Sequence, residues 1–367
     1  MCMTTLTYTH IPGDSRFYME EGWLKTFWLF SFGHYRDASN MNLGVLRVFN
    51  DDVIDGNSGF ETHPHRFAEI VTIVRSGAVT HKDSAGNEGI VNAGEMFPME
   101  SVHKAVQHNL INPIFIGNEN EIKKYAEKLN WDISKFKIIN ENIENNTAPI
   151  AARLVSEGKA EIIVKGHIHT DVLMKAVLKR SLNLVGKKRL SHVWHMTLDT
   201  NDKPFIITDG VVNVLPKLEV KMHILRNAVD FAKKIGISKP KVAVLSATEE
   251  ILESVPSSID ADKITKRAKE ENINADVFGP LAFDNSVSKK SAAIKKIKNN
   301  VSGNTDILLV PNVETGNALV KMMVYFMGAC AAGVVLGGKA PVVITSRSDE
   351  AEARLASIAA AVVALEK

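Results

Sequence analysis

Cysteine is nearly absent: Cys2 and Cys330 are the only two in 367 residues. Two thiols that far apart make neither a disulfide framework nor a metal cluster, which fits a reducing compartment. Charge imbalance is lacking too, since 44 Lys and Arg face 42 Asp and Glu for a net charge of +2. That excludes a general positive field for nucleic acid or an anionic membrane, so an anionic ligand has to be held by local charges. The most apolar stretches, "ACAAGVVLGG" and "LASIAAAVVAL", fall short of the roughly 18 residues a membrane-spanning helix needs and read as core elements. The opening "MCMTTLTYTHIPGDSRF" has no basic region ahead of an apolar core, so no secretory signal is expected and the cytoplasm is the default. What the chain does have is length, enough for two or three domains with buried cores.

The first hundred or so residues alternate in short runs, "LGVLRVFNDDVI" and "EIVTIVRSGAVTHKDSAGNEGIVNAGEM", punctuated by Arg75-Ser76-Gly77 and by Asp83 to Asn87. Strands of about five residues separated by turn signals predict an antiparallel all-β segment. From about Pro98 the pattern changes to strand-then-helix units. "EIIVKG" precedes a helix from about Thr170, "KVAVLSA" precedes a helix at "TEEILESV", "DILLVPN" precedes "GNALVKMMVYFMGA", and "PVVITS" precedes "DEAEARLASIAAAVVALEK". Such repetition predicts a parallel sheet covered by helices. The join at Met96-Phe97-Pro98-Met99 carries no linker signature.

Several places carry chemistry. His63-Pro64-His65 has the form of half a metal site, with the other ligands to be found. Ser346-Arg347 follows the apolar strand "APVVIT" and precedes a helix, at the strand end where open α/β sheets place ligands, and a guanidinium suits phosphate because it offers several donors in one plane. Thr315, Gly316 and Asn317 stand at a helix start after "DILLV", where backbone N–H groups attract an anion and glycine allows close approach; plain helix capping fits the same residues. "VKGHIHTDVLMK" supplies Lys165, His167, His169, Thr170 and Lys175 at a strand-to-helix turn, a set that reads as polar residues facing a cleft rather than as a metal site. Asp284, Asn285 and Lys289 lie on another edge, with Lys289, Lys290, Lys295, Lys296 and Lys298 forming a basic helix face that is either solvated or meets phosphates. Cys330 reads as an inert buried thiol.

Residues from about 98 to the end resemble the phosphate acetyl/butyryl transferase family, which exchanges an acyl group between coenzyme A and phosphate. The resemblance runs through "LINPIFIGN", "GKAEIIVKGHIHTDVLMKAVL", "RLSHVWHMT", "FIITDGVVNVLPKLEVKMHILRNAVDFAKKIGI", "ADVFGPLAFDNSVSKKSA", "DILLVPNVETGN" and "APVVITSRSDEAEARLASIAAAV". It implies a two-lobed α/β fold of phosphotransacetylase type, one lobe from residues 98–181 with 334–367 and the other from 182–333, and a homo-oligomer, a dimer or larger. The substrates it implies are acyl-CoA and phosphate, with no cofactor and no metal at the active site. It further implies that Ser346 meets the reacting thiol or tetrahedral centre and Arg347 the phosphate, with Thr315, Gly316, Asn317, Lys165, Thr170, Lys175, Asp284 and Asn285 around the substrates. In acetyl-transferring relatives an Asp stands seven positions beyond the Ser, and here that place is Ala353. Glu352 becomes the candidate base, although Asp349 and Glu352 also fit a helix capping box.

Residues 22–95 resemble the N-terminal half of pirin, a two-cupin protein that holds iron with three His and one Glu; "GWLKTFWLFSFGHYRD" and the run ending "EGIVNAGE" carry the likeness. Where pirin supplies its remaining ligands, transferase-like sequence stands instead. Residues 1–97 therefore read as a truncated all-β cupin segment without a complete metal site. Two other functions remain open on sequence: a pirin-like metal-binding regulator or dioxygenase, and a catalytically silent module that senses coenzyme A.

Overall fold

A computed structural model describes residues 11–12, 15–43, 46–61, 63, 74, 77–82, 88–92, 98–186, 188–198, 201–344 and 351–365. It divides into two units, Met1–Ile73 and Val74–Lys367. In the first unit β1 (Phe17–Glu21), β2 (Leu24–Trp28) and β3 (Asn50–Ile54) form an antiparallel meander in that order. Leu24, Thr26 and Trp28 are buried at every second position of β2, the two-residue period of a strand with one covered face. Gly22 takes a φ of +52° in the tight β1–β2 turn, a conformation that glycine adopts without steric cost.

The second unit opens with a hairpin, β4 (Ala78–Lys82) and β5 (Glu88–Asn92), followed by α1 (Pro98–Gln107). Next come β6 (Ile114–Gly117), α2 (Glu119–Lys128), β7 (Lys137–Asn140) and α3 (Glu144–Ser156), with β6 and β7 paired in parallel. The chain continues through β8 (Ile163–Val164), α4 (Thr170–Val177), β9 (Ser191–Leu198), β10 (Asn201–Thr208), α5 (Leu218–Lys234), β11 (Lys241–Leu245) and α6 (Pro256–Glu270). It ends with β12 (Asp276–Leu281), α7 (Phe283–Val287), α8 (Lys289–Ile294), β13 (Ile307–Leu309), α9 (Val313–Met327), β14 (Cys330–Leu336), β15 (Val342–Val343) and α10 (Ala351–Leu365).

Eight of these strands make one sheet in the order β12-β11-β13-β10-β9-β14-β15-β8. The first four run parallel to one another, as do β15 and β8, while β9 and β14 join the two blocks through antiparallel pairings. The α/β class is as expected, with this antiparallel junction as a feature that the strand-then-helix pattern does not reveal. The helix expected at "TEEILESV" is absent: residues 248–255 are irregular, with a bend at 249–250 and a turn at 253–254, and α6 begins at Pro256, where a fixed φ and a missing N–H suit the first helical turn.

One face of the sheet carries Val193, Ile206, Val242, Val244, Ile307, Leu309 and Val334 under α5, α6 and α10, packed with Leu225, Ile264 and Ala361. The other face carries two separate apolar clusters. Met196, Ile207, Ala243 and Leu308 pack with Val320 and Met323 of α9, whereas Ile163, Val335 and Val342 pack with Ala148 of α3 and Leu173 of α4. The break between them falls at β9 and β14, where Trp194 pairs with Gly333 and His192 with Val335.

A buried hydroxyl holds α10 to this junction. Ser357 Oγ accepts the Gly333 N–H at 2.9 Å and donates to Ala353 O at 2.7 Å. Ser357→Ala leaves that N–H unpaired in the interior and is expected to cost about 1–2 kcal/mol. The check is a lowered urea midpoint with an unchanged denaturant slope.

Candidate active site

The four parallel strands β10, β13, β11 and β12 end along one edge of the sheet. After β10, the buried Asp209 organises a tight loop: its Oδ1 accepts the N–H groups of Val211 at 2.9 Å and Val212 at 3.0 Å, and its Oδ2 accepts Asn213 Nδ2 at 2.6 Å. After β13, Asn312 caps α9, its Oδ1 accepting both the N–H of Thr315 at 2.9 Å and its hydroxyl at 2.7 Å. The Val313 N–H goes to Val214 O at 3.0 Å, and Asn317 Nδ2 donates to Gly210 O at 3.3 Å. The loop after β10 and the first turn of α9 are thus bound to each other. Capping uses most of the helix-start donors expected to attract an anion; α9 begins at Val313, three residues ahead of Gly316.

Glycine makes this contact possible. A Cβ on Gly210 would stand 2.5 Å from Trp194 Cζ3, 2.8 Å from Gly316 C and 2.9 Å from Asn317 N, and a Cβ on Gly316 would stand 2.8 Å from Gly210 Cα. On β14 a Cβ on Gly333 would stand 2.8 Å from His192 Cε1 and 2.9 Å from both His192 Nε2 and Trp194 Nε1. The His192 and Trp194 rings, 4.5 Å apart at 66°, therefore lie on the bare backbone of Gly333. They occupy the break between the two apolar clusters.

His192 is 1% exposed, and its Nδ1 has no hydrogen-bond partner. Burial lowers its pKa from 6.5 to about 3, so the imidazole is neutral at physiological pH. Burial raises the pKa of Asp209, opposed by hydrogen bonds from the Val211 and Val212 backbone and from Asn213. Between pH 6.5 and 3 the unfolded chain takes up a proton at His192 that the folded chain refuses, so this group's contribution to stability is lost as pH falls below 6.5. The slope for one proton is at most about 1.4 kcal/mol per pH unit. Urea midpoints at pH 7.5 and 5.5 are expected to differ more for the unaltered protein than for His192→Gln, and equal differences would contradict the assignment.

At the ends of β11 and β12, Asn285 is fully buried and its Nδ2 donates to Glu249 Oε1. Glu249 also pairs with Lys295 at 3.0 Å, and Asp284 lies 4.0 Å from Lys295. On the other block, the Lys165 N–H donates to Val343 O at 3.0 Å, which puts the end of β8 beside the end of β15. The Lys165 side chain is buried, with Nζ 3.5 Å from Gly166 O. Lys165 directly follows β8 and Ile344 directly follows β15, the strand that pairs with β14. Thr170, His167 and His169 are exposed at the start of α4, and Lys175 pairs with Asp171 at 3.0 Å. Glu352 is exposed in the first turn of α10, 3.6 Å from Lys104 of α1. Ser346, Arg347 and Asp349 lie outside the described residues.

The structure thus joins Thr315, Gly316 and Asn317 to the Gly210 loop, and Asp284 and Asn285 to a Glu249–Lys295 cluster. Sequence reasoning missed Asp209, Gly210, Trp194, Asn312 and Gly333. Their signals were present: a glycine inside the apolar strand "CAAGVVL" marks close approach, and Asn312 stands three residues before Thr315 as an N-cap does. Cys330 is half-buried at the start of β14, more accessible than the buried thiol expected. A cavity of about 630 Å³ lined by Trp131, Phe136 and Lys123 contains none of the residues singled out.

The sequence model described as phosphate acetyl/butaryl transferase matches residues 140–362. The chain belongs to this family. It is 41% identical over 256 residues to the phosphate acetyltransferase of Rickettsia felis, covering 69% of this chain and 73% of that protein. With the phosphate butyryltransferase of Clostridium acetobutylicum it shares 37% identity over 264 residues, 72% of this chain and 88% of the other. The crystal structure of a branched-chain phosphotransacylase from Enterococcus faecalis V583 superimposes with a TM-score of 0.64 at 32% identity, over 74% of this chain and 95% of that one. The chain is an acyltransferase of this kind, and every strand end described above falls inside the family match.

The pirin sequence model matches residues 13–114. The likeness therefore runs past Glu95, where it was expected to stop, and includes α1, which packs against α10 of the transferase part. Of the metal pair read from the sequence, His63 is exposed with its Nδ1 2.6 Å from Glu61 O, while Pro64 and His65 lie outside the described residues. Among the described residues, no three His, Cys, Asp or Glu side chains are grouped so as to hold a metal ion. No helix among them is long and apolar enough to cross a membrane.

Proposed function

We propose that this transferase moves an acyl group between coenzyme A and inorganic phosphate by direct attack, without an acyl-enzyme. In one direction the thiolate sulfur attacks the carbonyl carbon of the acyl phosphate, a tetrahedral oxyanion forms, and the C–O bond to phosphate breaks to release the dianion. In the other direction a phosphate oxygen attacks the thioester and the thiolate leaves. The observation that carries this reading is that the family match covers residues 140–362, which takes in the described strand ends of the eight-stranded sheet and the sequence positions of Ser346 and Arg347.

Arg347 binds phosphate through its planar set of donors, and Ser346 donates a hydrogen bond to the reacting centre. Glu352 takes the thiol proton, because a thiol of ordinary pKa near 8.5 needs a base or a positive field at neutral pH. Thr315, Gly316 and Asn317 receive the acyl-phosphate end. Lys165, Thr170 and Lys175 contribute from the first lobe, residues 98–181 with 334–367, and Asp284 and Asn285 from the second, residues 182–333. The enzyme uses acyl-CoA and phosphate as substrates with no metal at this site, and works as a homo-oligomer in the cytoplasm. Near-balanced charge and the scarcity of cysteine support that setting.

The test is incubation of the purified chain with phosphate and acetyl-, propionyl- or butyryl-CoA. Formation of acyl phosphate in step with free thiol supports the reading, and binding of coenzyme A without turnover points to a sensing module.

A further inference from the structure

Trp194 is a large aromatic side chain beside the loop that touches the first turn of α9, and it is closely packed on several sides. The Nε1 edge of the indole lies over Gly333, where an added Cβ would be 2.9 Å away, and the Cζ3 edge lies against Gly210, where it would be 2.5 Å away. The His192 ring meets it edge-on at 4.5 Å. Both edges and one flank are thus occupied, yet the residue is only half-buried. The Cζ3 edge meets Gly210 at the point where Gly210 touches the Gly316 and Asn317 backbone.

We propose that Trp194 is the residue that sets which acyl chains the enzyme accepts, as the wall against which the hydrocarbon tail packs. This inference rests on the reading that the first turn of α9 receives the acyl-phosphate end of the substrate. A tail leaving a carbonyl held there meets the indole within a few carbons. The ring has no room to retreat, because the glycines beneath it already carry it at contact distance and interiors yield little to added volume. A chain too long for the space is rejected rather than accommodated, and discrimination of about tenfold or more per misfitting methylene is within the range of such a wall.

The experiment compares kcat/KM for acetyl-, butyryl- and hexanoyl-CoA with saturating phosphate in the unaltered enzyme, Trp194→Leu and Trp194→Phe, with melting temperatures to verify folding. The expected result is a rise of at least about tenfold in the hexanoyl-to-acetyl ratio for Trp194→Leu, chiefly through KM, and a smaller rise for Trp194→Phe. If Trp194→Leu fails to fold, the Phe variant decides alone. A loss by the same factor on all three esters, or unchanged ratios, overturns the assignment of Trp194 while leaving the reaction intact. Absence of turnover by the unaltered enzyme on every ester overturns the reading of the reaction itself, and this inference with it.

Discussion

Arg347→Ala is expected to lower kcat/KM for phosphate by about a hundredfold to a thousandfold, while the KM for coenzyme A changes less than about threefold. The factor follows from losing a preorganised charged donor at a developing or departing dianion, typically 10²–10³ in rate. Phosphate is the substrate whose charge this site has to gather locally, since the chain as a whole, at +2, supplies no field for it. Arg347→Lys should recover part of the loss, because an ammonium restores the charge but not the planar pair of donors. Initial rates with each substrate varied in turn make the check. An equal loss for phosphate and for coenzyme A would remove Arg347 from the phosphate site.

Gly210→Ala carries the second large effect. The added methyl would stand 2.5 Å from the Trp194 ring and under 3 Å from the Gly316 and Asn317 backbone, so either the loop after β10 or the start of α9 has to move. Asp209 fixes the loop by three hydrogen bonds and the Asn312 cap fixes the first turn of α9, so the strain is shared between them and the Trp194 ring. Overpacking of this kind costs about 1–3 kcal/mol, and a shift of about 1 Å in residues that position a substrate costs roughly a hundredfold in rate. A folded variant with a lowered melting temperature and activity down about a hundredfold is the expected outcome. Near-normal activity would show that the Gly210–Gly316 contact does not position the substrate.

Sequence pattern reached the α/β class because buried strands such as "KVAVL" and "ILL" read as apolar runs with amphipathic helices between them. It did not reach the direction of β9 and β14, since an apolar strand looks the same whether its neighbour runs parallel or antiparallel. The helix expected at residues 248–255 fails for a local reason: Pro256 is where a helix can begin. Within the site, residues at individual strand ends were legible one segment at a time. The Trp194–Gly333–Gly210–Gly316 stack was not, because it joins β9, β14, the loop after β10 and α9, and no segment alone shows why each glycine is needed. Glu352 illustrates the converse: its place in the first turn of α10 was legible, but not its partner Lys104, which comes from a helix in the pirin-matching stretch.

Direct acyl transfer is decided by mixing the purified full chain with butyryl-CoA or acetyl-CoA and phosphate and measuring acyl phosphate and free coenzyme A together. Equal amounts of both products are expected, dependent on phosphate and reversed by adding acyl phosphate to coenzyme A. Release of coenzyme A without acyl phosphate, or tight binding of coenzyme A with neither product formed, would contradict it.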